Sequence, residues 1–82
     1  MLPKSHLLQN TEALHTTQLG ELRIKKNLSL TAPDPVQWCK DFITSPDAEI
    51  TKQGKNFYIT RQNITITVNA RSFTIITAHK NK

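Results

Sequence analysis

His15, Arg23 and Lys26 lie in the first third of the chain, and Thr77, His79 and Lys80 stand close together near its other end. These residue types include every part needed for metal-free proton transfer on a phosphodiester. Cleavage of RNA by its own 2′-hydroxyl needs a base for that proton, an acid for the departing oxygen, and cations around the crowded phosphate. Imidazole fills either proton-transfer role near neutral pH, and Arg and Lys supply the charge. Motifs for other chemistry are missing: there is no phosphate loop, no dinucleotide fingerprint and no Gly-x-Ser-x-Gly. His6, His15 and His79 are the only histidines, and none has a partner at metal-ligand spacing, so neither a metal nor a cofactor is expected. Cys39 has no Cys-x-x-Cys partner and no neighbouring His, and reads as core.

Eleven Lys and Arg against six Asp and Glu give a net charge of +5. After Glu49 no acid follows, while Lys52, Lys55, Arg61, Arg71, Lys80 and Lys82 do. Solubility is the plain reading of that excess, and attraction of a polyanion is the stronger one. The 82 residues suit one domain (1–82), helical over 1–44 and β-rich over 48–80, too small for a deep enclosed pocket. One cysteine rules out an internal disulfide and fits a reducing cytoplasm. No apolar run approaches the ~18 residues of a membrane span, and no signal-peptide pattern is present, so a soluble cytoplasmic protein is expected.

Positioning these groups falls to two helices and four strands. Leu2–Asn10 is compatible with a short first helix or a docked arm. Glu12–Leu30 predicts a helix with Thr16 or Thr17 as N-cap and a buried stripe of Leu14, Leu19, Leu22, Ile24 and Leu28. Gly20 inside it marks a close backbone approach, and Arg23, Lys25 and Lys26 complement the helix dipole. Asp34-Pro35 opens the next helix, with Val36, Cys39, Phe42 and Ile43 buried and Trp38 at the edge of that stripe, read as core. Strands follow at Ala48–Lys52, Asn56–Arg61 and, through Ile64–Lys80, two more. Short loops favour an antiparallel meander with the helices on one face, an α+β fold.

Two-residue loops at Gln62-Asn63 and Ala70-Arg71 fix the pairing. The first sets Arg61 opposite Ile64, Ile59 opposite Ile66 and Phe57 opposite Val68. The second sets Asn69 opposite Ser72, Val68 opposite Phe73, Ile66 opposite Ile75 and Ile64 opposite Thr77. Arg61, Thr77 and His79 then end the core face, with Tyr58, Thr60, Thr65, Thr67, Asn69, Ser72, Thr74 and Lys80 on the other.

The segments His15-Thr16-Thr17, Leu19-Gly20, Arg23–Leu28, Val36–Lys40, Gly54-Lys55-Asn56 and Thr74–Lys80 resemble a small bacterial domain family of uncharacterised function. More loosely, two helices and a four-stranded meander ending in Thr-x-His resemble the barnase, EndoU, colicin and RelE-like ribonuclease superfamily. That resemblance implies a toxin-like, metal-independent endoribonuclease acting on tRNA or mRNA, with a cognate antitoxin or immunity protein as partner. It implies His15 and His79 as proton-transfer groups, Arg23, Lys26, Lys55 and Lys80 on phosphate, and Thr77 and Asn69 positioning substrate. The chain departs from branches with a glutamate base on the sheet, since Glu49 is its one acid there.

The competing expectation is a non-catalytic nucleic-acid- or protein-binding module, regulatory or inhibitory, using the Thr-rich face and Arg71. Either would be a monomer or a small homo-oligomer paired through an open edge, at the first strand or the last.

Overall fold

A computed structural model describes residues 7–31 and 33–81, so the expectations for Leu2 and Pro3 fall outside the described residues. Leu7 is fully buried, and a single 3₁₀ turn, Thr11–Ala13, precedes the first long helix. That helix, α1 (Gln18–Leu28), starts later than the periodicity predicts, because the chain before it is extended: Thr17 is the N-cap, and its hydroxyl accepts the Gly20 N–H at 3.0 Å. It ends at Ser29, whose φ of 53° is left-handed, as a helix C-terminus commonly requires. Helix α2 (Pro35–Ile43) begins as expected, with Pro35 at the first position and the Asp34 carboxylate accepting the Gln37 N–H at 3.1 Å.

Strands β1 (Glu49–Gln53), β2 (Asn56–Arg61), β3 (Ile64–Asn69) and β4 (Ile75–Lys80) form one antiparallel sheet in chain order. Together with the two helices packed on it, this is the expected α+β fold. The core gathers Ile24 and Leu28 of α1, Cys39, Phe42 and Ile43 of α2, and Phe57, Ile59, Ile66, Val68, Ile75 and Ala78 of the sheet. Each of the larger aliphatic or aromatic side chains contributes about 1.5–3 kcal/mol on burial.

The β2–β3 register is the one the sequence predicts, Arg61↔Ile64 to Phe57↔Val68. The β3–β4 register is not. Asn69 and Thr74 close the loop instead (Asn69 N–H to Thr74 C=O, 2.9 Å), leaving four residues, Ala70 to Phe73, to turn the chain. Phe73 takes a left-handed φ of 57° there and stacks on Phe57. The longer loop slides β4 by two residues, which keeps Ile75 inward opposite Val68. Ile76 is then an extra residue: Thr67 pairs with Thr77, Thr65 with His79 and Ile64 with Lys80. A bulge of one residue exchanges the faces of everything after it. Thr77 and His79 therefore lie on the face away from the helices, and the predicted face assignment of Thr77, His79 and Lys80 is reversed.

Two further expectations are corrected. Leu19 and Leu22 are exposed rather than part of the buried stripe; Gly20, Ile24 and Leu28 fill that role. The last strand's edge is covered in part. His15 forms a parallel bridge with Thr74, donating its N–H to Phe73 C=O (3.2 Å) and accepting the Ile75 N–H (2.7 Å). Thr16 Oγ1 then donates to Ile75 C=O at 2.9 Å, and Asn27 Nδ2 to Ala78 C=O at 3.2 Å. β1 is the sheet's other edge, and Lys52, paired with core Phe57, sets a charge on its helix side, a device that discourages edge pairing.

Candidate functional site

The sheet has two ends, and the predicted site residues divide between them. At the turn end, the β1–β2 and β3–β4 turns touch, with the Ala70 N–H donating to Lys55 C=O at 2.7 Å. Lys55 and Arg71, both exposed, thus stand on adjoining turns. The Asn69 Oδ1 shapes the second turn by accepting the N–H groups of Arg71 (2.9 Å) and Ser72 (3.0 Å). An Asn side chain used this way mimics a backbone turn, which gives Asn69 a structural task of its own.

His15 arrives at the same end through its bridge to Thr74. Its Nδ1 lies 2.9 Å from Ala13 C=O, an acceptor, so Nδ1 carries the proton in the neutral ring and Nε2 accepts. Thr74 Oγ1 lies 3.1 Å from Nε2 and 2.7 Å from Ser72 Oγ. The result is a run of contacts from Ser72 through Thr74 to an imidazole oriented by a carbonyl, the arrangement in which a hydroxyl or a water is activated by a neighbouring base. Sequence reasoning does not single out Ser72 and Thr74. The alternating Ser-x-Thr is local, but its connection to His15 spans 59 residues and leaves no sequence signal.

His79 sits at the other end. From Thr74, the bridge partner of His15, it is five residues along the strand, roughly 15 Å at the rise of a β-strand. The two imidazoles are therefore not brought together. His79 is exposed and pairs with Thr65, whose hydroxyl accepts from Asn81 Nδ2 at 2.9 Å. Lys80 lines an open hollow of ≈ 470 Å³ shared with Gln62, Asn63 and Ile64. Thr77 receives a long contact, 3.5 Å, from Asn27 Nδ2. Arg23, four residues before Asn27, and Lys26 are both exposed on α1. Among the described residues no group of three or more His, Cys, Asp or Glu is placed to hold a metal ion.

Between the two ends, the face away from the helices carries Thr51, Asn56, Tyr58, Thr60, Thr65, Thr67 and Thr77, with Tyr58 half-buried in the second strand beside Thr51 and Thr67. Glu49 is the acid on it, at the outer strand. A third feature lies at the side: Trp38 stacks on Phe42 (5.4 Å between centroids), the Arg61 guanidinium is 6.0 Å from the Phe42 ring, and Arg61 Nε donates to Asp47 at 2.7 Å. Trp38 thus belongs largely to packing, as its sequence position implies.

Residues 8–79 match the family described as a protein of unknown function, DUF3781. The chain belongs to this family. The match covers the resemblance from His15 to His79 and extends it towards the N-terminus. No curated protein and no solved structure matches the chain. Among the described residues no helix is long and apolar enough to cross a membrane.

Proposed function

We propose that this domain binds single-stranded RNA across its open sheet face, with Lys55 and Arg71 receiving phosphates at the turn end. The observation that carries this reading is the contact between the β1–β2 and β3–β4 turns, which sets exposed Lys55 and Arg71 on adjoining turns at one end of that face. Residues 50–82 hold six Lys and Arg and no Asp or Glu, so the whole positive excess belongs to the β-rich half. Tyr58 offers a ring on which a base stacks, and Thr51 and Asn56 near it offer hydrogen-bonding groups to sugar and base edges. The reducing cytoplasm, where RNA and a lone thiol coexist, suits this role. Binding should weaken as log salt rises, and Tyr58→Ala should lower affinity without altering the salt slope. Replacing Lys55 and Arg71 with Ala should flatten that slope by roughly one for each phosphate no longer neutralised. Equal affinity for RNA in all three forms, measured by fluorescence anisotropy, would exclude the proposed face.

A second reading, metal-independent endoribonuclease as the loose superfamily resemblance implies, is favoured by the His15 geometry. An imidazole with its acceptor nitrogen held towards hydroxyls, at the end bearing Lys55 and Arg71, supplies a base and cations without requiring His79; the imidazolium formed when His15 takes the 2′-hydroxyl proton, or a water, then protonates the departing 5′-oxygen. On this reading the cell would also need a cognate inhibitor. Incubation with tRNA and mRNA in EDTA should yield fragments with 2′,3′-cyclic ends, abolished by His15→Ala and retained by His79→Ala. Intact RNA under these conditions, together with normal binding, leaves the binding module alone standing.

A further inference from the structure

Leu19 and Leu22 stand on α1 with 66% and 62% of their surface exposed, an unusual setting for two leucines one helical turn apart. Arg23 follows Leu19 by four positions and Lys26 follows Leu22 by four, so these residues form a diamond on the outer helix surface, with both cations exposed. Folding does not require the leucines, since Gly20, Ile24 and Leu28 supply the buried side of α1. The helix is tied to β4 by Asn27 on Ala78, and the segment leading into it by Thr16 on Ile75. Ile76, the bulged residue between those ties, adds a third exposed apolar side chain on the strand that α1 adjoins.

We propose that this surface docks an acidic amphipathic helix of a partner protein. Apolar residues at helical spacing beside fixed cations are complementary to a helix with Leu-type anchors flanked by Glu or Asp. A second copy of this chain is a poor occupant. A two-fold contact would gather Arg23 and Lys26 of both copies into one small interface with no acid on the patch to offset them, and like charges so gathered are repulsive. A lipid surface is also a poor occupant: two leucines on an 11-residue helix, with no Trp or Phe beside them, give little apolar area for insertion. The proposal is independent of whether the sheet binds RNA.

The test uses the isotopically labelled full chain and a synthetic amphipathic peptide with Leu at i, i+3, i+4 and i+7 and Glu on the flanks. Amide shifts should concentrate between Leu19 and Lys26. The double variant Leu19→Ser/Leu22→Ser should keep the wild-type melting temperature, because both side chains face solvent, and should bind the peptide about tenfold more weakly. A peptide with Lys in place of Glu should not bind. The proposal is overturned by shifts confined to the sheet, by equal affinity in the double variant, by equal binding of the Lys peptide, or by no binding at all. Concentration-dependent shifts of the same amides without peptide would assign the face to a second copy instead, and binding to anionic phospholipid vesicles but not to the peptide would assign it to a membrane.

Discussion

Asn27 donates its side-chain N–H to the backbone carbonyl of Ala78 at 3.2 Å, so a helix residue takes the place a neighbouring strand would have filled. The bond is partly buried, and removing the donor leaves Ala78 C=O to water. Asn27→Ala should cost about 1 kcal/mol, lowering the melting temperature by roughly 4–8 °C for a domain of this size. A melting curve that does not move would show that the helix holds the edge through packing alone.

Gly20→Ala, ordinarily a gain of about 1 kcal/mol in a helix interior, should destabilise this protein. A Cβ at Gly20 would stand against Thr16 Oγ1. Thr16 would have to turn away and give up its bond to Ile75 C=O. In a Thr16→Ala background the same glycine substitution should cost less, and this non-additivity, read from denaturant midpoints, identifies the clash as the cause.

Cys39 is enclosed between α2 and the core, and burial pushes its thiol from 9.0 up to about 12. Modification by a thiol-specific disulfide reagent at pH 8 should be negligible in the folded protein and complete in denaturant. The folded state holds the thiol proton more tightly than the unfolded chain. The stabilisation from this group is thus fully present below pH 9 and lost as pH rises towards 12. Cys39→Ala should lose less of its stability across that interval.

Asp47 has its carboxyl held below the ordinary 3.8 chiefly by the hydrogen bond from Arg61. Stability from a depressed carboxylate is present above its unfolded value and disappears as pH falls through the folded one. Wild type should therefore exceed Asp47→Asn at neutral pH by a small, salt-sensitive margin, since the carboxylate is well exposed. The two melting temperatures should converge below pH 3.8. A margin that survives acid would mean the loop is held by something other than this ion pair.

Much of this fold is legible in the sequence where the determinants are local. Asp34-Pro35 announces the start of α2, and the alternation from Asn56 to Asn69 yields the β2–β3 pairing residue by residue. The β3–β4 pairing is hidden because its four-residue loop relies on the left-handed Phe73, a bulky residue seldom found there, and because no residue type marks the bulge at Ile76. That one bulge decides which face His79 and Thr77 occupy, and so reverses two of the residues the sequence nominates. The cations at Lys55 and Arg71 can be named from charge alone. Their company with His15, Ser72 and Thr74 cannot, since a lone parallel bridge between segments so far apart is a tertiary fact. Exposed Leu19 and Leu22 mislead in the opposite direction, because periodicity records apolar residues without saying which of two helix faces is covered.

The bridge between His15 and Thr74 also dictates an order of events during synthesis. Helix α1 rests chiefly on β4, the last of the four described strands to be translated. Until then Ile24 and Leu28 of α1 lack their main support and have only α2 to rest on, so the nascent polypeptide carries a partly uncovered apolar stripe through most of its translation. Ribosome-stalled chains halted before Thr74 should consequently recruit holding chaperones, whereas those extended by an added linker long enough to bring Lys80 out of the exit tunnel should release them.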